Sequence, residues 1–237
     1  MLSRQLLLQW RHAVRNMRWN ADAHLRAHER SVSIEQDSIV RVDTCQLAAN
    51  NPIEDFYSAA KCLSSNAFLF GVFDGHGGPS CSRHVSTSLF PYICAAVLQK
   101  HEIRTLPLEE RLEWIFGSAE NHLPNLFINS NMENIYACHK AFIENKDLHT
   151  VREALKFAFE ACDEDLCRAA LPDSKGQFDK LSVMTAASGS CATLAHVRGR
   201  NLHVANVGDG AAVLGVVHSN GSVHCPTAFT CSLRRQC

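Results

Sequence analysis

One stretch constrains the fold more than any other. Phe68-Leu69-Phe70-Gly71-Val72-Phe73 is a short, almost wholly apolar run that stops at Asp74-Gly75-His76-Gly77-Gly78. Six residues are too few for a buried helix, and the aromatic content favours extended backbone, so the run predicts a strand buried on both faces. A chain of 237 residues with 46% hydrophobic content can surround such a strand with one large domain. The charged fraction of 20% excludes a disordered or collagen-like chain. With 23 Lys+Arg against 24 Asp+Glu there is no global field to draw nucleic acid or anionic lipid. No apolar run approaches the roughly 18 residues of a membrane-spanning helix.

The remaining elements are read from periodicity. Ile39–Leu47 holds a short strand after a polar stretch over Ala21–Ser33. Pro79–Leu98 carries Val85, Leu89, Ile93, Ala96 and Val97 at helical spacing behind a proline start. Leu108–Phe116 is read as helical, and the asparagine-rich Asn121–Asn134 as a loop. Thr150 and Glu153 form a capping box before Val151, Leu155, Ala158, Phe159, Cys162, Leu166 and Ala169, which share one helical face. A loop follows from Asp173 to about Ser190. Cys191–Val197 and Leu202–Val207 then flank Arg198-Gly199-Arg200-Asn201 as a hairpin, and Ala211–Val217 adds a third strand. Antiparallel turns between long helices predict an α+β architecture rather than a parallel sheet.

The 11 cysteines lie mostly among apolar residues, no CxxC spacing occurs, and the odd total points to a reducing compartment. The first 21 residues, Met1–Ala21, carry Arg4, Arg11, Arg15 and Arg18 and no acid. Leu6, Leu7, Leu8, Trp10, Val14 and Met17 form an apolar stripe at helical spacing with the arginines largely off it, as in a mitochondrial transit peptide or a basic surface helix.

Three acidic points stand at element boundaries: Glu54-Asp55, Asp74 at the end of the apolar strand, and Asp209 between Gly208 and Gly210. Each alone would serve as a turn or cap. Together they are carboxylates of the kind that converge on hard divalent cations. Gly75 allows close backbone approach, and His76 can hand a proton to a leaving oxygen near neutral pH. There is no GxSxG elbow, Walker A loop or HExxH motif to support a competing chemistry.

In combination these motifs are recognisable. Phe70-Gly71-Val72-Phe73-Asp74-Gly75-His76-Gly77-Gly78 resembles the signature of the metal-dependent PP2C (PPM) serine/threonine phosphatases. Glu54-Asp55 stands where that family has its upstream acidic pair, and Gly189-Ser190-Cys191-Ala192-Thr193-Leu194 with Leu202–Asp209 resembles its later strand pair. Most of the family has an arginine four residues before the Glu. Asn50 is here instead, as in the pyruvate dehydrogenase phosphatase branch.

The resemblance implies two antiparallel sheets sandwiched between helix pairs, incomplete at the C-terminus, with Mg2+ or Mn2+ at one end. It implies Asp74 bridging two ions, the Gly75 carbonyl on one of them, Glu54 holding an ion-bound water and Asp55 supporting. It further implies His76 as general acid, Asp209 at a weaker third metal position and Asn50 at the substrate phosphate. The substrate class is a phosphorylated protein, pyruvate dehydrogenase in that branch, whose members also associate with the lipoyl-bearing core of the complex in the mitochondrial matrix. The corresponding organisation is a leader over 1–33, a partial phosphatase domain over 34–223 and a divergent tail over 224–237. The pattern departs from the family after Gly221-Ser222: no Asp or Glu follows Asp209, whereas the family supplies two more metal-binding aspartates. A truncated phosphatase and a non-catalytic binding partner are the two readings this leaves.

Overall fold

The computed structural model describes residues 21–36, 38–63, 65–97, 111–116 and 150–229. These divide into two compact units, one ending at Ala49 and the other beginning at Asn50. In the first, residues 21–26 are helical, and β1 (Glu29–Gln36) pairs antiparallel with β2 (Ile39–Cys45). The polar stretch over Ala21–Ser33 therefore carries structure that its composition conceals. The basic leader and the Asn121–Asn134 loop lie outside the described residues.

The second unit is built on a five-stranded antiparallel sheet in the order β5-β3-β4-β6-β7. Its members are β3 (Phe56–Cys62), β4 (Ala67–His76), β5 (Leu112–Phe116), β6 (Gly189–Arg198) and β7 (Asn201–Val207). A further hairpin pairs β8 (Ala212–Val217) with β9 (Val223–Phe229). Antiparallel sheets with helices are the α+β class that the sequence predicts.

Side chains alternate across this sheet, and one face is covered by α1 (Ser80–Ala96) and α2 (Val151–Ala169). Ala60, Leu69, Phe73, Ala192 and Leu194 from the strands meet Leu89, Phe90 and Ile93 of α1 and Leu155, Ala158 and Cys162 of α2 in one core. Ser58 fastens β3 to α1 by donating to the Ser86 carbonyl at 2.7 Å, and Tyr92 fastens α1 to α2 by donating to Asp165 at 2.6 Å. The capping box forms as its residue types require: Thr150 Oγ1 accepts the Glu153 N–H at 3.2 Å, and Glu153 accepts the Thr150 N–H at 2.9 Å.

Four readings need correction. The run at Phe68–Phe73 is buried on both faces only in its first half, because Val72 is 60% exposed on the side away from the helices. The strand also continues past Asp74 to His76, which pairs with Gly189. Leu108–Phe116 is not a helix over its described part. Leu112–Phe116 is an edge strand on β3, with Trp114 stacked on Phe90 at 5.5 Å and Phe116 edge-on to Tyr57 at 5.5 Å. An open strand edge and aromatic partners decide in favour of β here. Finally, the loop after Asp173 contains α3 (Lys180–Ala187), started by Asp179, whose carboxylate accepts the Ser182 N–H at 2.7 Å. Leu181, Val183 and Met184 on α3 are exposed, so no apolar stripe announces it.

The eight cysteines of the described residues are free thiols, and Cys62, Cys81, Cys94 and Cys162 are buried. Burial pushes the Cys81 thiol up to about 11 and the Cys162 thiol up to about 12, so both are packing groups rather than reactive ones.

Candidate active site

The site forms where β3 begins and β4 ends. Phe56 of β3 pairs with Phe73 of β4. This antiparallel register carries Glu54-Asp55, just before β3, alongside Asp74-Gly75, near the end of β4. The two motifs, 20 residues apart in the chain, are hydrogen-bonded: the Gly75 N–H donates to Asp55 Oδ1 at 3.2 Å.

Glu54 is held at both carboxylate oxygens. The Gly78 N–H donates to Oε1 at 2.8 Å and the Asn50 amide donates to Oε2 at 2.6 Å. Its carbonyl accepts the hydroxyl of Ser82, a fully buried residue in the first turn of α1. A glycine is required at 75, since a Cβ there would lie 2.1 Å from the Glu54 carbonyl oxygen and 2.4 Å from Ser82 Oγ. Gly77 and Gly78 turn the chain from β4 into α1 with φ of 71° and 117°, a region that L-residues with a side chain rarely enter.

Asp74 projects from the sheet face opposite the helices and is exposed. Its partner across the ladder is Cys191, whose thiol donates to Asp209 Oδ1 at 3.3 Å. Burial first, then the carboxylates of Asp209 and Asp74, raise the Cys191 thiol against the opposing effect of the Asp209 N–H, so it stays protonated and donates. His76, two residues beyond Asp74 on the same face, packs against Gly189, where an added Cβ would lie 2.1 Å from Nε2.

The structure thus brings all seven sequence-predicted residues to one end of the sheet: Asn50, Glu54, Asp55, Asp74, Gly75 and His76 directly, and Asp209 through Cys191. Asn50 is spent in part on Glu54, a role that the sequence did not suggest. Sequence reasoning also missed the Gly78 N–H, Ser82 and Cys191. The available signals were weak: a small hydroxyl three residues past Pro79, and a cysteine near the start of the strand that pairs with the motif.

Among the described residues no three carboxylate, imidazole or thiol side chains converge closely enough to grip one ion. The donors present are nonetheless hard oxygens, Asp74 and Asp209 flanking one thiol and the Gly75 backbone beside them. That chemistry fits a cation such as Mg2+ or Mn2+, which accepts one or two carboxylates and keeps several waters.

Comparison with known proteins follows the same lines. The profile of the Protein phosphatase 2C family matches residues 110–226. The chain is 35% identical over 207 residues to the human mitochondrial pyruvate dehydrogenase (acetyl-transferring) phosphatase 2, covering 80% of this chain and 38% of that protein. It is 37% identical over 221 residues to human mitochondrial phosphatase 1 of the same name, covering 84% of this chain and 40% of the relative. A rice protein named probable protein phosphatase 2C 61 is 32% identical over 170 residues, covering 70% of this chain and 30% of the relative. The chain therefore spans about two fifths of the length of the curated relatives it matches.

Proposed function

The chain belongs to the protein phosphatase 2C family, and on that premise we propose that it hydrolyses phosphoserine or phosphothreonine esters on a protein with the help of Mg2+ or Mn2+. One observation carries the reading: Glu54-Asp55 is stitched to Gly75 and Gly78, beside Asp74, by hydrogen bonds from the backbone of the DGHGG motif.

In this reading Asp74 and the Gly75 carbonyl would hold the cation, with Asp209 at a weaker neighbouring metal position and Glu54 and Asp55 ordering the surrounding waters. A divalent cation bound there supplies Lewis-acid polarisation of the phosphoryl group and a more acidic water for in-line attack. The chain's own groups do the rest. Asn50 keeps its Glu54 contact and offers its second amide N–H to a phosphoryl oxygen. His76, fixed against Gly189, donates a proton to the departing serine oxygen, so that the alcohol rather than the alkoxide leaves. The Gly77-Gly78 turn presents no side chain to obstruct a phosphoprotein.

The substrate proposed is phosphorylated pyruvate dehydrogenase, with the lipoyl-bearing core of that complex as a docking partner and the mitochondrial matrix as the compartment. The names of the relatives support this, and the mitochondrial part agrees with the basic leader. No helix of the described residues is long and apolar enough to cross a membrane.

The experiment is phosphate release from a phosphoserine peptide across pH, with Mn2+ or with a chelator, by the wild type and His76→Asn. The reading expects turnover only with metal, and a rate in the variant lower by about 100-fold or more, the typical worth of a general acid. Equal rates with and without metal would refute it.

A further inference from the structure

The turn Gly208-Asp209-Gly210 leaves β7 and lies flat on two side chains of β6. A Cβ at Gly208, where φ is +96°, would lie 2.4 Å from Cys191 Sγ, and one at Gly210 would lie 2.5 Å from Thr193 Oγ1. Cys191 and Thr193 stand on the face that carries Asp74, since Cys191 pairs with Asp74 and Thr193 with Val72. The turn is fastened as well as packed. Thr193 pairs with Asn206 of β7 and donates its hydroxyl to Asn206 Oδ1 at 2.6 Å. Asn206, only 2% exposed, donates its Nδ2 to the Gly208 carbonyl at 3.2 Å.

These two hydrogen bonds depend on each other. The Gly208 carbonyl can only accept, so it takes the N–H2 end of the Asn206 amide and leaves Oδ1 for the Thr193 hydroxyl, which can donate. Without that hydroxyl the buried Oδ1 loses its donor, and the amide that grips the Gly208 carbonyl is anchored at one end instead of two. The Gly208 carbonyl belongs to the peptide that enters Asp209. The order of control therefore runs from Thr193 to Asn206 to the turn to the Asp209 carboxylate.

We infer that Thr193 and Asn206 are positioning residues for Asp209, holding its carboxylate on the Asp74 side of the sheet for the divalent cation. The inference rests on the metal-dependent reading given above, and it assigns a role to two residues that touch neither cation nor substrate. Asn206 is a buried polar side chain, and this role accounts for its burial.

The test measures Mn2+ binding directly, from the electron paramagnetic resonance signal of free Mn2+, together with hydrogen exchange of the amides of residues 208–210, on the full chain. Thr193→Val removes the hydroxyl at nearly constant shape and is expected to weaken Mn2+ binding about tenfold, the worth of one hydrogen bond, and to speed exchange in the turn. Thr193→Ser restores the donor and is expected to return both within about twofold of the wild type. In an Asp209→Asn background, Thr193→Val is expected to cause no further loss of Mn2+ affinity, an outcome that general loosening would not produce. Because Thr193 is only half-buried, these variants keep the test open even where Asn206→Ala fails to fold. Binding that survives Thr193→Val, or a Ser variant that behaves like the Val variant, overturns this inference alone. A wild type that binds no Mn2+ overturns the metal-dependent reading and this inference with it.

Discussion

Replacing Gly75 by alanine tests whether the acidic pair is packed against β4 as described. Gly75 is fully buried between Glu54 and Ser82, and the added methyl would lie 2.1 Å from the Glu54 carbonyl oxygen, 2.4 Å from Ser82 Oγ and 3.0 Å from the Glu54 carbonyl carbon. Ordinary contact begins near 3.4 Å. The obstruction is backbone held by a buried hydroxyl, not the end of a flexible side chain, so a shift of roughly 1 Å must be shared by the segment before β3 and the start of α1. Gly75 has no positive φ, so in an open strand alanine would be favoured by about 0.5–1 kcal/mol. The packing reverses the sign and should cost about 3 kcal/mol, the upper end of what overpacking costs. Urea unfolding followed by tryptophan fluorescence reads this as a lower midpoint at unchanged slope. Gly176→Ala serves as the control: no atom of the described residues lies within 4 Å of its Cβ position, and φ of +75° should cost only about 1 kcal/mol. A Gly75→Ala chain as stable as the wild type, or more stable than Gly176→Ala, would refute the packing argument.

Three further outcomes are expected. His196 is 1% exposed, its ring nitrogens have no hydrogen-bond partner among the described residues and His203 lies edge-on at 5.7 Å; burial, then His203, pulls it from 6.5 down to about 4. The folded state therefore resists a proton that the unfolded state accepts, so stability is full above about pH 6.5 and falls towards pH 4 by up to about 3 kcal/mol. His196→Leu should flatten that fall in urea midpoints taken from pH 7.5 to 5, and an unchanged slope would count against a neutral buried imidazole. Phe73→Ala should cost about 3–5 kcal/mol in the same assay, because Phe73 is fully buried in the core shared by the sheet and α1. Thr150→Ala breaks the capping box of α2 and should cost about 1 kcal/mol, with faster hydrogen exchange confined to the first turn of that helix.

What the sequence discloses follows from how local each signal is. α2 announces itself through its capping box and apolar stripe, both contained within a few turns. The β6–β7 hairpin shows because two apolar segments flank a short polar connection. β3 does not show: Phe56-Tyr57-Ser58-Ala59-Ala60-Lys61-Cys62 has no alternation, because Ser58, Ala59 and Ala60 are buried in succession at the centre of a sheet. β5 is misread as helix because its β character depends on the free edge of β3 and on Phe90 and Tyr57, which lie far away in the chain.

The site divides in the same way. Asp74, Gly75 and His76 are legible because one contiguous motif places them at the end of an apolar run. Glu54-Asp55 and Asp209 are legible as types, while their meeting with Asp74 depends on strand register. Ser82, Cys191 and the Gly78 N–H belong to the support of the site, and the sequence marks them only faintly, since a backbone donor has no residue type. Asn50 shows the limit most clearly. Its position relative to Glu54 is readable, but that its amide closes on the Glu54 carboxylate at 2.6 Å depends on the folded loop.

The measurement that bears most directly on the account is phosphate release from a phosphoserine peptide at saturating Mn2+ by the wild type and by Asp74→Asn, each shown to be folded by its unfolding midpoint. Asp74 is exposed on the sheet face and pairs through its backbone with Cys191, so the amide replaces a charge without disturbing the ladder. Metal-dependent turnover by the wild type and a loss of at least about 100-fold in the folded variant are expected, since removing a metal-holding carboxylate removes several kcal/mol of transition-state stabilisation. Turnover retained by Asp74→Asn, or a folded wild type with none, would contradict it.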